Sequence, residues 1–77
     1  MELHETIQDG VTIIAPKGNI NRATSPKLQA RLAPLVEEGT HVVVDLSEAA
    51  TVSSAGLRVM FIIAKAAGEN GKFILAS

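Results

Sequence analysis

The segment from Val42 to Leu57 most restricts what this chain can fold into, because it joins a buried strand directly to the start of a helix. Three consecutive valines followed by Asp45 are typical of a short β-branched strand, and Ser53 and Ser54 precede an apolar helical segment. Either serine can be the N-cap of that helix. A hydroxyl group held at a helix start can also accept a phosphate, so these serines are the first candidate functional residues.

The composition restricts both the size and the class of the protein. A chain of 77 residues, 47% of them hydrophobic, allows one small domain, so we expect a single domain over residues 1–77. The acidic N-terminal segment contains no apolar run and no segment is long enough to span a membrane, which predicts a soluble, cytoplasmic protein. The net charge is −1, and Phe61 and Phe73 are the only aromatic residues. This composition disfavours nucleic acid as a partner.

The N-terminal part of the chain predicts a β-hairpin. Asp9-Gly10 separates a stretch of alternating polar and apolar residues, Glu2–Ile7, from a second stretch, Val11–Ala15, and Asp-Gly between two such stretches is a strong hairpin signal. The segment Lys17–Asn21 is predicted to be a loop. The sheet therefore begins with two antiparallel strands.

The first helix is predicted to begin at Thr24 or Ser25, either of which can be the N-cap before Pro26. Leucines and a valine at helical spacing then form one apolar stripe. Because Pro34 removes a backbone hydrogen bond, we expect a kink or a frayed last turn before Gly39.

The remaining elements complete an α/β fold. We predict a strand at His41–Leu46, a helix from about Ser54 to Gly68, and a fourth strand at Phe73–Leu75. Strands that alternate with helices normally pair in parallel through crossover connections. The predicted fold is therefore a mixed four-stranded sheet, an antiparallel hairpin followed by parallel strands, with two helices.

The second predicted helix is apolar on nearly every side. Only Arg58, Lys65 and Glu69 mark a solvated face. A helix of this composition is normally covered on more than one side. We therefore expect something besides the sheet to pack on it.

Four segments carry a resemblance to a known family: Gly18–Asn21, Val42–Ser47, Val52–Val59 and Gly71–Leu75. Their order and spacing resemble the STAS family of anti-sigma factor antagonists. In that family a small domain binds an anti-sigma factor, often itself a serine kinase, and so frees the sigma factor. The resemblance implies an STAS-like fold and a regulatory, non-enzymatic protein without a cofactor, for which a serine phosphatase is a possible further partner.

The resemblance also implies a phosphorylation switch at the start of the second helix. The family pattern is commonly Asp-Ser-Ser/Thr-Gly-Leu, and the serine after the aspartate is the acceptor. Aligning Gly56 and Leu57 with the family's Gly-Leu makes Ser54 the acceptor and puts Ser53 where the aspartate usually stands. The implied partner-binding residues are Asn21, where the family often has aspartate, together with Asp45, Ser53, Ser54, Gly56 and Arg58.

The chain is shorter than is usual in the family, whose members generally continue with another helix, a fifth strand and a last helix. It therefore resembles an STAS domain that lacks its C-terminal third. The outer edge of the strand ending at Leu75, and apolar helix residues such as Ile62, would then be exposed. We expect a homo-oligomer whose contacts replace the missing elements.

Other interpretations of the same residues remain open. Ser53 and Ser54 can simply cap the helix, and Asp45 can bond loop amides instead of a partner. An architectural STAS unit that assembles without phosphorylation is one alternative function. A small serine hydrolase is a weaker one, because no G-x-S-x-G is present and no histidine follows the serines. His4 and His41 have no further ligand at metal-binding spacing, so we expect no metal site.

Overall fold

The computed structural model describes residues 1–68 and 73–76. Five strands and two helices follow one another along the chain: β1 (Glu2–Gln8), β2 (Val11–Ile20), α1 (Ser25–Glu37), β3 (His41–Asp45), β4 (Ala49–Val52), α2 (Ser54–Ala67) and β5 (Phe73–Ala76).

The strands form a mixed sheet in the order β1-β2-β3-β5, and β4 pairs with the far end of β2. β1 and β2 are antiparallel and meet at a tight turn, in which Asp9 and Gly10 have φ angles of 53° and 79°. Such left-handed angles are tolerated by Asp and Gly, as the hairpin signal requires. β3 pairs in parallel with β2, and β5 in parallel with β3. The predicted fold class is confirmed.

The two helices pack against each other and against one face of the sheet. Side chains alternate across the pleat, so Val42 and Val44 are buried under the helices while Val43 on the other face is only half-buried. Leu28 and Leu32 of α1 meet Ile63 of α2 in this core. The hydrophobic core of the described residues is formed by Ile14, Ile20, Leu28, Leu32, Val36, Val42, Val44, Val59, Met60, Ile63 and Ala67.

The structure contains a strand that the sequence did not predict. β4 pairs in parallel with Gly18–Ile20, the segment that was predicted to be a loop. β2 consequently runs on to Ile20, with an irregularity in the pairing between Gly18 and Asn19. The described sheet thus has five strands instead of the four predicted. β4 was not predicted because its four residues form a strand by pairing with β2, and their own sequence has no strand pattern.

The first helix begins close to the predicted position. Thr24 is the residue before its first turn, and Pro26 lies within that turn. The helix continues past Pro34 to Glu37, and the Glu38 N–H donates to the Pro34 carbonyl at 3.0 Å. The last turn is therefore formed and not frayed.

Candidate functional site

Three elements meet where α2 begins. β2 and β4 are parallel, so their carboxyl ends, Ile20 and Val52, lie side by side at one edge of the sheet. The Ser53 N–H donates to the Ile20 carbonyl at 2.8 Å, which continues the pairing by one residue. The first residue of α2, Ser54, follows immediately. The start of α2 is thus fixed by the end of the β2–β4 pair.

Ser53 is the N-cap of α2. Its backbone is extended, its Oγ accepts from the Gly56 N–H at 3.3 Å, and its carbonyl accepts from the Leu57 N–H at 3.0 Å. A serine in this geometry satisfies one of the free amides of the first helical turn. The sequence left open which of the two serines is the N-cap, and in the structure it is Ser53.

Ser54 has a different environment from its neighbour. It is the first residue of α2 and is exposed. Within residues 1–68 and 73–76, its hydroxyl group has no hydrogen-bond partner. The two adjacent serines therefore have separate properties: the Ser53 hydroxyl is occupied by the helix cap, and the Ser54 hydroxyl is free to face a partner or an enzyme.

Gly56 is buried and holds the helix start close to the sheet. A Cβ at this position would lie 2.7 Å from Cγ2 of Ile20 and 3.2 Å from Cγ1 of Val52. A distance of 2.7 Å is shorter than the non-bonded contacts that Cβ atoms make in folded proteins. Gly56 is among the residues expected to bind a partner, and that expectation stays a prediction. Its burial also gives it a positioning role, because the missing side chain lets α2 approach β2 and β4.

Asn21 lies in the loop that joins β2 to α1, and its side chain turns back onto that loop. Its Oδ1 accepts from the N–H groups of Ala23 at 2.9 Å and of Thr24 at 3.1 Å. Thr24 reciprocates, since its Oγ1 accepts from the Asn21 N–H at 2.9 Å and donates to the Asn19 carbonyl at 2.8 Å. Asn21 therefore orders the turn before α1, as an aspartate at this position also would.

Asp45 ends β3 and bonds the loop that follows. Its Oδ1 accepts from the Ser47 N–H at 2.9 Å. Hydrogen bonds from the backbone and then the side chain of Ser47 hold the pKa of Asp45 below its ordinary value of 3.8. In the β2–β3 register, Val44 lies beside Ile14, so Asp45 ends its strand well before the level of Ile20. The described contacts do not join Asp45 to Ser53 or Ser54.

Arg58 is exposed on the surface of α2, four residues after Ser54. Residues at this spacing are neighbours on a helix surface. In the described part of the chain, the Arg58 guanidinium makes no ion pair with a carboxylate. It is therefore a positive charge that remains available within reach of the Ser54 hydroxyl.

One contact beside this site was not predicted from the sequence. Asn19 and Thr51 lie opposite each other in the β2–β4 pairing, and the Thr51 Oγ1 donates to the Asn19 Oδ1 at 2.9 Å. Both side chains are exposed. Only the prediction of β4 could have revealed this pair, because the two residues are far apart in sequence.

No cluster of three or more His, Asp or Glu side chains in residues 1–68 and 73–76 has the arrangement to hold a metal ion. Among the same residues, neither helix is long and apolar enough to cross a membrane.

The fold and the site together define a small α/β protein in which paired parallel strands present a capped helix start with an exposed serine hydroxyl group. The STAS domain family matches residues 3–77. The chain therefore belongs to the STAS domain family.

Relatives of known structure or name agree with this family. BtrV of Bordetella bronchiseptica, named as an anti-sigma factor antagonist, is 43% identical over 58 residues, which are 74% of this chain and 50% of that protein. An anti-sigma factor antagonist from Mycobacterium paratuberculosis superposes with a TM-score of 0.86 at 25% identity, covering 97% of this chain and 66% of that one. The anti-sigma factor antagonist SpoIIAA, in its unphosphorylated form, gives a TM-score of 0.77 at 10% identity, covering 96% and 71%, which shows a common fold. The chain spans about half the length of BtrV.

Proposed function

We propose that this protein is an anti-sigma factor antagonist that binds an anti-sigma factor with serine kinase activity, and that phosphorylation of Ser54 switches the binding off. The observation that carries the proposal is the contrast between the two serines at the start of α2. Ser53 is occupied as the N-cap, whereas the Ser54 hydroxyl is exposed and without a partner in the described residues. BtrV and the Mycobacterium paratuberculosis protein, which are both named as anti-sigma factor antagonists, support the function.

The protein itself can accommodate a phosphate at Ser54. A phosphoserine carries about −1.5 to −2 charges, and the N-terminus of a helix favours negative charge through its dipole and free amides. The first turn of α2 contains no acidic residue that would repel the phosphate. Arg58, four residues further on, offers a guanidinium group that can pair with the phosphate oxygens. Phosphorylation should therefore leave α2 folded.

The switch acts on the partner's side of the contact. The anti-sigma factor surface that contacts Ser54 is complementary to a neutral hydroxyl group. Once Ser54 is phosphorylated, binding requires either desolvation of a group with nearly two negative charges or its contact with negative charges on the partner, and both cost free energy. A penalty of roughly 3 kcal/mol weakens a micromolar complex by about a hundredfold. Affinity for the anti-sigma factor should fall by at least this factor.

The partner surface consists of exposed groups around the helix start. Ser54 and Arg58 contact the partner directly, and Ser53 holds the helix in place. Asn21 and Asp45 order the loops after β2 and β3 through their bonds to Thr24 and Ser47. The kinase recognises Ser54 although the preceding residue is Ser53 and not the aspartate that is usual in the family.

The proposal places the protein in the cytoplasm, where sigma factors act. A serine phosphatase that removes the phosphate from Ser54 completes the cycle. Binding of the anti-sigma factor then depends on the balance of the kinase and the phosphatase.

Calorimetric titration of the purified anti-sigma factor tests the proposal. Ser54→Ala should bind as the wild type does, and Ser54→Asp should bind at least about tenfold more weakly. Ser54→Asn is the matched control, because it has the shape of the aspartate without its charge, and it should stay close to the wild type. Equal affinities for all four proteins would refute the switch.

An architectural STAS unit, assembled without phosphorylation, is the alternative function. Incubation with ATP and the kinase followed by mass spectrometry distinguishes the two, since the architectural unit would gain no phosphate. A serine hydrolase is tested by a phosphonate probe, which we expect to label neither Ser53 nor Ser54. In the described residues, no histidine bonds either hydroxyl group.

A further inference from the structure

Two arginines of the described chain differ from a third in their contacts. Arg31 is paired with Glu5, since its Nη2 donates to the Glu5 Oε1 at 2.7 Å. Arg22 and Arg58 are exposed, and within residues 1–68 and 73–76 neither side chain forms an ion pair or a hydrogen bond. Both guanidinium groups are therefore available to another molecule.

Arg22 lies beside the start of α2, although the two are far apart in sequence. The Ser53 N–H donates to the Ile20 carbonyl at 2.8 Å, and Arg22 follows Ile20 by two residues. Because consecutive Cα atoms are about 3.8 Å apart, the Cα atom of Arg22 lies within about 8 Å of that of Ile20. Arg22, Ser54 and Arg58 therefore belong to the same end of the molecule, and we call them the Arg22–Arg58 surface.

The loop that carries Arg22 is held in place by its own hydrogen bonds. The Asn21 Oδ1 accepts from the N–H groups of Ala23 and Thr24, and the Asn21 carbonyl accepts from the Ser25 N–H at 2.7 Å. Arg22 is enclosed in this turn, so its backbone is fixed relative to the start of α1. A fixed backbone lowers the entropy that is lost when the side chain binds a partner.

The described carboxylates lie away from the Arg22–Arg58 surface. Neither helix has an acidic residue in its first turn, and Glu37 and Glu38 lie at the other end of α1. Asp9 lies in the hairpin turn before β2, and Glu48 precedes β4, whose four residues span about 13 Å before α2 begins. The remaining described carboxylates accept from His4, Arg31 and Ser47, and they are Glu2, Glu5 and Asp45. The charged side chains that the structure describes at this end of the molecule are thus positive.

We propose that Arg22 and Arg58 bind acidic side chains of the anti-sigma factor, so that the partner surface opposite Ser54 is negatively charged. This inference rests on the proposed function, which makes the anti-sigma factor the protein that faces Ser54. A kinase that reaches Ser54 also reaches the two arginines beside it. Guanidinium groups form strong, often bidentate hydrogen bonds with carboxylates, which favours an acidic partner over a neutral one.

The same charges account for the effect of phosphorylation. A phosphate on Ser54 adds about −1.5 to −2 charges, which offset the two arginine charges. Arg58, four residues after Ser54, pairs with the phosphate instead of with a carboxylate of the partner. Phosphorylation therefore removes the attraction between the two surfaces and sets a negative group against a negative partner surface.

Calorimetric titration of the purified anti-sigma factor with unphosphorylated variants tests the inference. Arg22→Gln and Arg58→Gln each remove one charge, and each should raise the dissociation constant at least about threefold in low salt. The double variant Arg22→Glu/Arg58→Glu should raise it at least about thirtyfold. Between about 50 and about 500 mM NaCl the wild-type affinity should fall, and it should fall less steeply for the double variant Arg22→Gln/Arg58→Gln.

Lys65→Gln is the matched control. It removes the same charge from the same helix, but Lys65 lies in the last turn of α2, at the opposite end from Ser54. This variant should bind with the wild-type affinity and the wild-type salt dependence. Circular dichroism checks that each variant is folded, and glutamine is nearly as good a helix former as arginine.

The outcomes separate this inference from the phosphorylation switch, because Ser54 is unchanged in every variant. Folded arginine variants that bind as tightly as the wild type would overturn the inference, even where Ser54→Asp weakens binding. So would equal losses of affinity in Lys65→Gln and the arginine variants, or a salt dependence that the arginine variants leave unchanged. A wild type that binds no anti-sigma factor would overturn both the inference and the proposed function.

Discussion

Replacing Gly56 with alanine is the sharpest test of how the candidate site is built. The added methyl group would lie 2.7 Å from Cγ2 of Ile20, which is 0% exposed, so one of the two groups must shift to admit it. The Ile20 carbonyl, 3.3 Å from the same point, closes the space further. The substitution must therefore lift the first turn of α2 away from β2 or distort the end of β2.

Two opposing terms determine the size of the effect. Overpacking of a tight core position costs about 1–3 kcal/mol, and a contact this short belongs in the upper part of that range. Alanine in a helix interior gains about 1 kcal/mol over glycine. The net loss in the free energy of unfolding should be about 1–2 kcal/mol.

Urea unfolding measures this loss directly. With a slope near 1 kcal/mol per M for a small domain, the midpoint should fall by about 1–2 M. Ile20→Leu removes the methyl group that the new Cβ would meet, so the double variant Gly56→Ala/Ile20→Leu should lose less stability than the sum of the single variants. A Gly56→Ala protein that is about 1 kcal/mol more stable than the wild type, as helix propensity alone predicts, would refute the close-packing argument.

Two other residues give predictions that thermal or chemical unfolding can check. Asn21→Ala should lower the free energy of unfolding by about 1 kcal/mol, because the Ala23 and Thr24 amides lose their acceptor. Asn21→Asp keeps the acceptor and should be at least as stable as the wild type. Equal losses of stability in both variants would contradict this role of Asn21. The lowered pKa of Asp45 means that its ionised form stabilises the fold above the ordinary pKa of 3.8, and this contribution is lost as the pH falls through the folded-state pKa. The stability difference between wild type and Asp45→Ala should therefore be constant near neutral pH and shrink below about pH 4. A difference that grows on acidification would contradict the bond to Ser47.

Much of the fold followed from local patterns in the sequence. The valines of β3 and the long apolar run of α2 each specify their element, and the Asp9-Gly10 turn specifies the hairpin. β4 could not be predicted in this way, because four residues of mixed burial have no period of their own and become a strand only beside Gly18–Ile20. The same pairing turned a predicted loop into the last part of β2.

The candidate site was predictable in its position but not in the roles of its residues. Serines before an apolar helix indicate a cap, yet which serine caps depends on where β2 and β4 end, a tertiary property. The contact that makes Gly56 necessary is with Ile20, far away in sequence. Asn21 was predicted to face a partner, which stays a prediction, and the structure adds that its Oδ1 accepts backbone amides of its own loop.

The location of the phosphate tests the central claim most directly. Incubation of the wild-type chain with ATP and its anti-sigma factor kinase, followed by peptide mass spectrometry, should find a single phosphate on Ser54 and none on Ser53. The purified phosphoprotein should then bind the anti-sigma factor at least about a hundredfold more weakly than the unmodified chain, a difference of roughly 3 kcal/mol. A phosphate on another residue, or a phosphorylated Ser54 that leaves the affinity unchanged, would contradict the proposed switch.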